Sequence, residues 1–65
     1  MLYDIGDVVV LLVDIPELGL VKGSIGVVIM KFSHPEIAYE VEFSNENGET
    51  IAQIALLPIQ IRRFK

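Results

Sequence analysis

Within Ala38-Tyr39-Glu40-Val41-Glu42-Phe43-Ser44 apolar and acidic residues alternate with a strict period of two, and Asn47-Gly48 follows after two further residues. Period-two alternation is the signature of a strand with one wet and one dry face. Asn-Gly is the pair that best accepts positive φ at both central positions of a type I′ turn. A hairpin is therefore expected here, returning through Thr50-Ile51-Ala52-Gln53-Ile54-Ala55-Leu56. Tyr39, Val41 and Phe43 are assigned to the core and Glu40 and Glu42 to solvent.

The rest of the chain extends this β pattern. Asp7 to Asp14 encloses the run Val8-Val9-Val10-Leu11-Leu12-Val13 between aspartates, a strand without polar alternation. Such a run implies cover on both faces. One face of a small barrel is core, so the other is expected to meet a partner or a neighbouring segment. Asp14 to Gly26 then carries Pro16, Gly19, Gly23 and Gly26, a long loop with a short helical turn at Pro16-Glu17-Leu18. Ile15, Leu18, Leu20 and Val21 are apolar enough to fold that loop over the core edge.

A second strand is expected over Ile25 to Phe32, where Gly23 and Gly26 supply the bend into it. Pro35 ends it and pushes His34 toward extended backbone. Pro58 predicts a short 3₁₀ turn before a last strand from Ile61 to Phe64. The fold class is all-β: a small SH3-like barrel of about five short antiparallel strands, with a long first loop and a prolyl turn before the last strand. Residues 1–65 form a single domain.

A chain of 65 residues is near the lower limit for a self-sufficient core, and this one has no cysteine to form disulfides. Yet 52% of its residues are hydrophobic, and its mean hydropathy is +0.56. So small a domain cannot hide that much apolar surface within itself, and a partner or a second copy is the expected cover. The longest apolar run is far short of a membrane-spanning helix, and the N-terminus has no basic leader. A soluble cytoplasmic protein is expected.

The net charge of −4 repels phosphate backbones. Five glutamates lie between positions 36 and 49, while Arg62, Arg63 and Lys65 crowd the C-terminus. Such end charges commonly guard an edge strand. His34 stands alone, with no second ligand for zinc and no triad around it. The glycines precede a strand and not a helix, which argues against a phosphate cradle. Glu40 and Glu42 are separated by about 7 Å at the usual strand rise, a spacing compatible with paired-carboxylate chemistry but far more common on a solvated face. No tryptophan is present for a proline-peptide groove. No catalytic residue, metal, cofactor or small-molecule substrate is assigned, and the chain is not expected to be an enzyme.

Taken together, the opening Asp-Val-Val strand, Asp14-Ile15-Pro16-Glu17, Gly19-Leu20, Lys22-Gly23, Gly26-Val27, the Tyr39-to-Phe43 strand and Leu57-Pro58 resemble a family of short bacterial proteins, common in cyanobacteria, known as domain of unknown function 4926. The resemblance implies an SH3-like barrel with no assigned activity. It also implies action beside other gene products, toxins among them. Lys22-Gly23-Ser24-Ile25-Gly26-Val27-Val28 is similar as well to the KOW motif of ribosomal and transcription-elongation proteins.

Two functional expectations follow. The first is a non-catalytic protein-interaction module, self-associating or docking on a partner protein through Val9, Leu11, Val13, Leu18, Leu20, Glu40 and Glu42. The alternative is a KOW-like RNA- or ribosome-associated module using Lys22, Lys31, Arg62 and Arg63, which the acidic balance disfavours.

Overall fold

A computed structural model describes residues 2–65. Five strands, β1 (Val8–Leu11), β2 (Ile25–Phe32), β3 (Ala38–Ser44), β4 (Thr50–Leu56) and β5 (Ile61–Arg63), form one antiparallel sheet in the order β4-β3-β2-β1-β5. Two 3₁₀ turns, Pro16–Leu18 and Pro58–Gln60, interrupt the connections where the prolines predict them. Strand order and connections are compatible with the SH3-like barrel expected from the sequence.

The core is a single cluster of Val9, Leu11, Leu20, Val28, Tyr39, Val41, Phe43, Leu56 and Ile61. β3 has the expected phase, with Tyr39, Val41 and Phe43 buried and Glu40 and Glu42 half-buried on the opposite face. The long first loop also reaches the core as expected. Leu20 is buried in it and Ile15 packs against it, whereas Leu18 and Val21 stay exposed.

Two departures have clear local causes. The first strand ends at Leu11 and not near Asp14. The Leu12 N–H donates to the Gln60 carbonyl, and Asp14 Oδ1 accepts the Lys22 N–H at 2.8 Å, so the chain after Leu11 is already tied into the loop. The hairpin is real but is not a two-residue type I′ turn. Within the hairpin loop only Gly48 has positive φ, +79°, because Asn45 organises a longer loop. Its Oδ1 accepts the N–H groups of Asn47 and Glu49, and its carbonyl accepts Gly48 N–H at 3.0 Å. That side chain stands in for the tight backbone turn. The strand register slips by one residue beside it, between Phe43 and Ser44, leaving Ile51 as the extra residue.

The two loop glycines differ in kind. Gly23 bends the chain with φ +96°, as expected of a turn. Gly26 lies inside β2 without unusual φ, and its role is close approach: a Cβ there would stand 2.6 Å from Val41 Cγ1 and 2.9 Å from both the Glu42 carbonyl oxygen and Phe43 Cε1.

Candidate functional site

The phase of β1 decides which surface is available. A strand sends successive side chains to opposite faces, and here Val9 and Leu11 point into the core, fully buried. The expectation that Val9 and Leu11 form an interface is therefore corrected, as it is for Leu20. Within the β1 strand the outward positions are Val8 and Val10. Val10 is flanked in register by Ile25 of β2 and Arg62 of β5, and Val8 lies beside Val27. The Phe64 N–H donates to the Val8 carbonyl, extending the β5 pairing by one residue.

Together these residues make an apolar patch on the outer face. Val8 is 40%, Ile25 49%, Val27 38% and Phe64 46% exposed, with Val10 closed in at their centre. The patch is bordered by acid, since Glu42 is the register partner of Val27 and Glu40 that of Met30. Glu42 is held in place by Thr50 Oγ1 at 2.8 Å and Gln53 Nε2 at 3.2 Å, both donating to its Oε2. Val13 and Leu18 are exposed but lie outside the strands, Val13 in the chain after β1 and Leu18 in the first 3₁₀ turn.

A shallow groove of about 400 Å³ opens at the other end of the sheet, lined by Phe32, His34, Pro35, Glu36, Ala38, Ala55 and Leu57. His34 is exposed there, as expected of a loop histidine. Among the described residues no group of three His, Cys, Asp or Glu is placed to hold a metal ion, and no buried side-chain polar atom lacks a partner. No helix among them is long and apolar enough to cross a membrane.

The four basic residues of the RNA reading lie on three different elements, Lys22 in the first loop, Lys31 in β2 and Arg62 and Arg63 in β5. Lys31 Nζ pairs with Asp4 at 3.0 Å, and Arg63 is engaged on three sides. Its Nη1 donates to Asp7 Oδ2 at 3.0 Å, its Nη2 to the Leu2 carbonyl at 2.9 Å, and its guanidinium sits 5.3 Å from the Tyr3 ring centroid. Arg62 lies beside Val10, and Lys22 lies in the first loop. Arg63 is thus a clasp that fixes the N-terminal segment to β5.

The clasp sets the protonation of Asp7. The Asp4 backbone N–H, donating at 2.9 Å, and then the Arg63 guanidinium hold its carboxyl below the ordinary 3.8. Since the folded value is the lower one, this contribution is complete above the ordinary value and is lost as pH falls through the folded one. Asp7→Asn is expected to lower the melting temperature at pH 7, and the gap from the parent should start to narrow only below the ordinary value of 3.8 and close once pH has fallen through the lowered folded value. Melting curves across that range check it; a gap that persists unchanged in acid would show that the charge of Asp7 is irrelevant.

The profile of a family described as a domain of unknown function, DUF4926, matches residues 5–63. The chain belongs to that family. The match runs from Ile5, ahead of β1, through Arg63, so the whole sheet and both ends of the Asp7–Arg63 contact lie within the DUF4926 domain. No curated protein and no solved structure matches the chain.

Proposed function

We propose that this protein is a non-catalytic interaction module that covers its apolar outer face by self-association or by docking on a partner protein. The observation that carries the reading is the patch of Val8, Ile25, Val27 and Phe64 around Val10. Exposed aliphatic residues scattered singly need no explanation, but a contiguous patch rimmed by charge marks an interaction surface. Glu40 and Glu42 on its border favour a partner with basic groups around an apolar centre. Soluble, intracellular residence and action beside a neighbouring gene product belong to the same proposal.

The RNA reading draws less support. Lys31 and Arg63 are occupied by Asp4 and Asp7, and Lys22 and Arg62 do not form a track for a phosphate backbone with them.

The test replaces Ile25 and Val27 together by lysine, which at 27 faces Glu42 across the strands and repels a basic partner. Both side chains are exposed, so the variant is expected to keep its far-UV spectrum and fold while losing any protein that the parent retains from host extract. A captured protein that survives the double substitution would remove the outer face from the account.

A further inference from the structure

The sheet order leaves two open edges, β4 and β5, and they are treated differently. β5 is three residues long and two of them are arginine. Shortness and charge are the usual protections against pairing with another chain. β4 has neither. It runs seven residues, Thr50-Ile51-Ala52-Gln53-Ile54-Ala55-Leu56, without a charge, a proline or a glycine. β3 covers one side of it, and among the described residues no strand covers the other.

We propose that β4 pairs antiparallel with β4 of a second copy about a two-fold axis through Gln53, joining two five-stranded sheets into one. The proposal rests on the self-associating branch of the interaction reading and moves its contact from the outer face to the sheet edge, leaving the apolar patch to a partner protein. Three features select a second copy as the occupant. In this register Gln53 meets Gln53, Ala52 meets Ile54 and Ile51 meets Ala55, so a large apolar residue faces a small one at each apolar pair, the fit that cross-strand packing rewards.

Charge then selects the orientation. Glu46 and Glu49 lie in the hairpin loop immediately before β4. Antiparallel pairing sends the two acidic loops to opposite ends of the joined sheet, whereas parallel pairing would set them side by side. Finally, Ile51 is 50% exposed at the register slip, and the groove bounded by Ala38, Ala55 and Leu57 lies at the far end of the same strand. The two-fold register lays the Ile51 of each copy over Ala55 of the other, at the rim of that groove. An isologous contact of this kind closes on itself and ends at a dimer.

The chain has no cysteine, so single-cysteine variants report proximity cleanly. In Gln53→Cys the two thiols sit directly opposite across the axis, where Cβ atoms are about 4.5–5.5 Å apart, at the margin of disulfide reach. Mild oxidation at micromolar concentration is expected to yield a covalent dimer. Val27→Cys, on the outer face and away from β4, is expected to stay uncoupled. Gln53→Lys sets two ammonium groups against each other and is expected to reduce the solution mass to the 7.2 kDa of one chain, with an unchanged far-UV spectrum.

Coupling through Val27→Cys and not Gln53→Cys, or a dimer that survives Gln53→Lys, would overturn the β4 pairing while leaving the interaction reading standing on the outer face. A parent that is monomeric at every concentration and uncoupled at both positions would also overturn it. The interaction reading would then depend on whether the Ile25 and Val27 double variant loses a captured protein.

Discussion

Gly26→Val is expected not to fold, and Gly26→Ala to melt roughly 10–20 °C below the parent. A Cβ at this position would overlap Val41 Cγ1 at 2.6 Å and press on the Glu42 carbonyl oxygen and Phe43 Cε1 at 2.9 Å. One of those atoms is backbone, and the other two belong to fully enclosed core side chains, so no flexible end can swing aside. The β2 and β3 strands would have to separate at the centre of the sheet. Overpacking of this kind costs about 1–3 kcal/mol for small additions and more for larger ones. A domain this small has roughly 3–5 kcal/mol in hand, and each 1 kcal/mol shifts its melting point by about 4–8 °C. Thermal melts of the two variants check the ordering; a Gly26→Ala protein as stable as the parent would show that β2 and β3 can part without cost.

Tyr39 is expected to show two separable effects. Its ring is fully buried in the core cluster and meets the Tyr3 ring edge-on, with centroids 5.1 Å apart. Its hydroxyl accepts the Leu2 N–H at 3.0 Å and the Tyr3 N–H at 3.4 Å. Tyr39→Ala should therefore cost about 3–5 kcal/mol, as large aromatic truncations do, and leave little folded protein. Tyr39→Phe keeps the packing and removes only the acceptor, at about 1 kcal/mol. Hydrogen exchange distinguishes the two roles. In Tyr39→Phe the Leu2 and Tyr3 amides should exchange faster while those of β3 and β4 keep their protection. Equal loss of protection everywhere would mean that the hydroxyl supports the whole core and not the N-terminal segment.

These two positions also show where the sequence is informative. β3 can be placed to the residue because its acidic and apolar residues alternate, and alternation carries phase. β1 has no such phase. Val8 to Val13 is uniformly apolar, and a slip of one residue exchanges the core face for the outer one. That is why Val9 and Leu11, expected at an interface, belong to the core, and why Val8 and Val10 face outward instead.

The same limit applies to contacts made at long range. The prolyl turns at Pro16 and Pro58 follow from local chemistry and are found where expected. The clasp of Arg63 on Asp7, Leu2 and Tyr3 spans nearly the whole chain and has no local signal. The hairpin falls between these cases. Asn47-Gly48 marks its place, but the carboxamide of Asn45, two residues earlier, determines its form. Gly26 likewise reads as a bend in the sequence, and only the proximity of Val41 and Phe43 shows that its missing side chain is what matters.

The account as a whole turns on whether the exposed apolar residues are an interface. Light scattering of the unmodified protein from micromolar to millimolar concentration tests this most directly. A mass of twice 7.2 kDa, stable across the range, is the predicted result. A mass of 7.2 kDa throughout, with no protein from host extract that the Ile25 and Val27 double variant fails to hold, would contradict it.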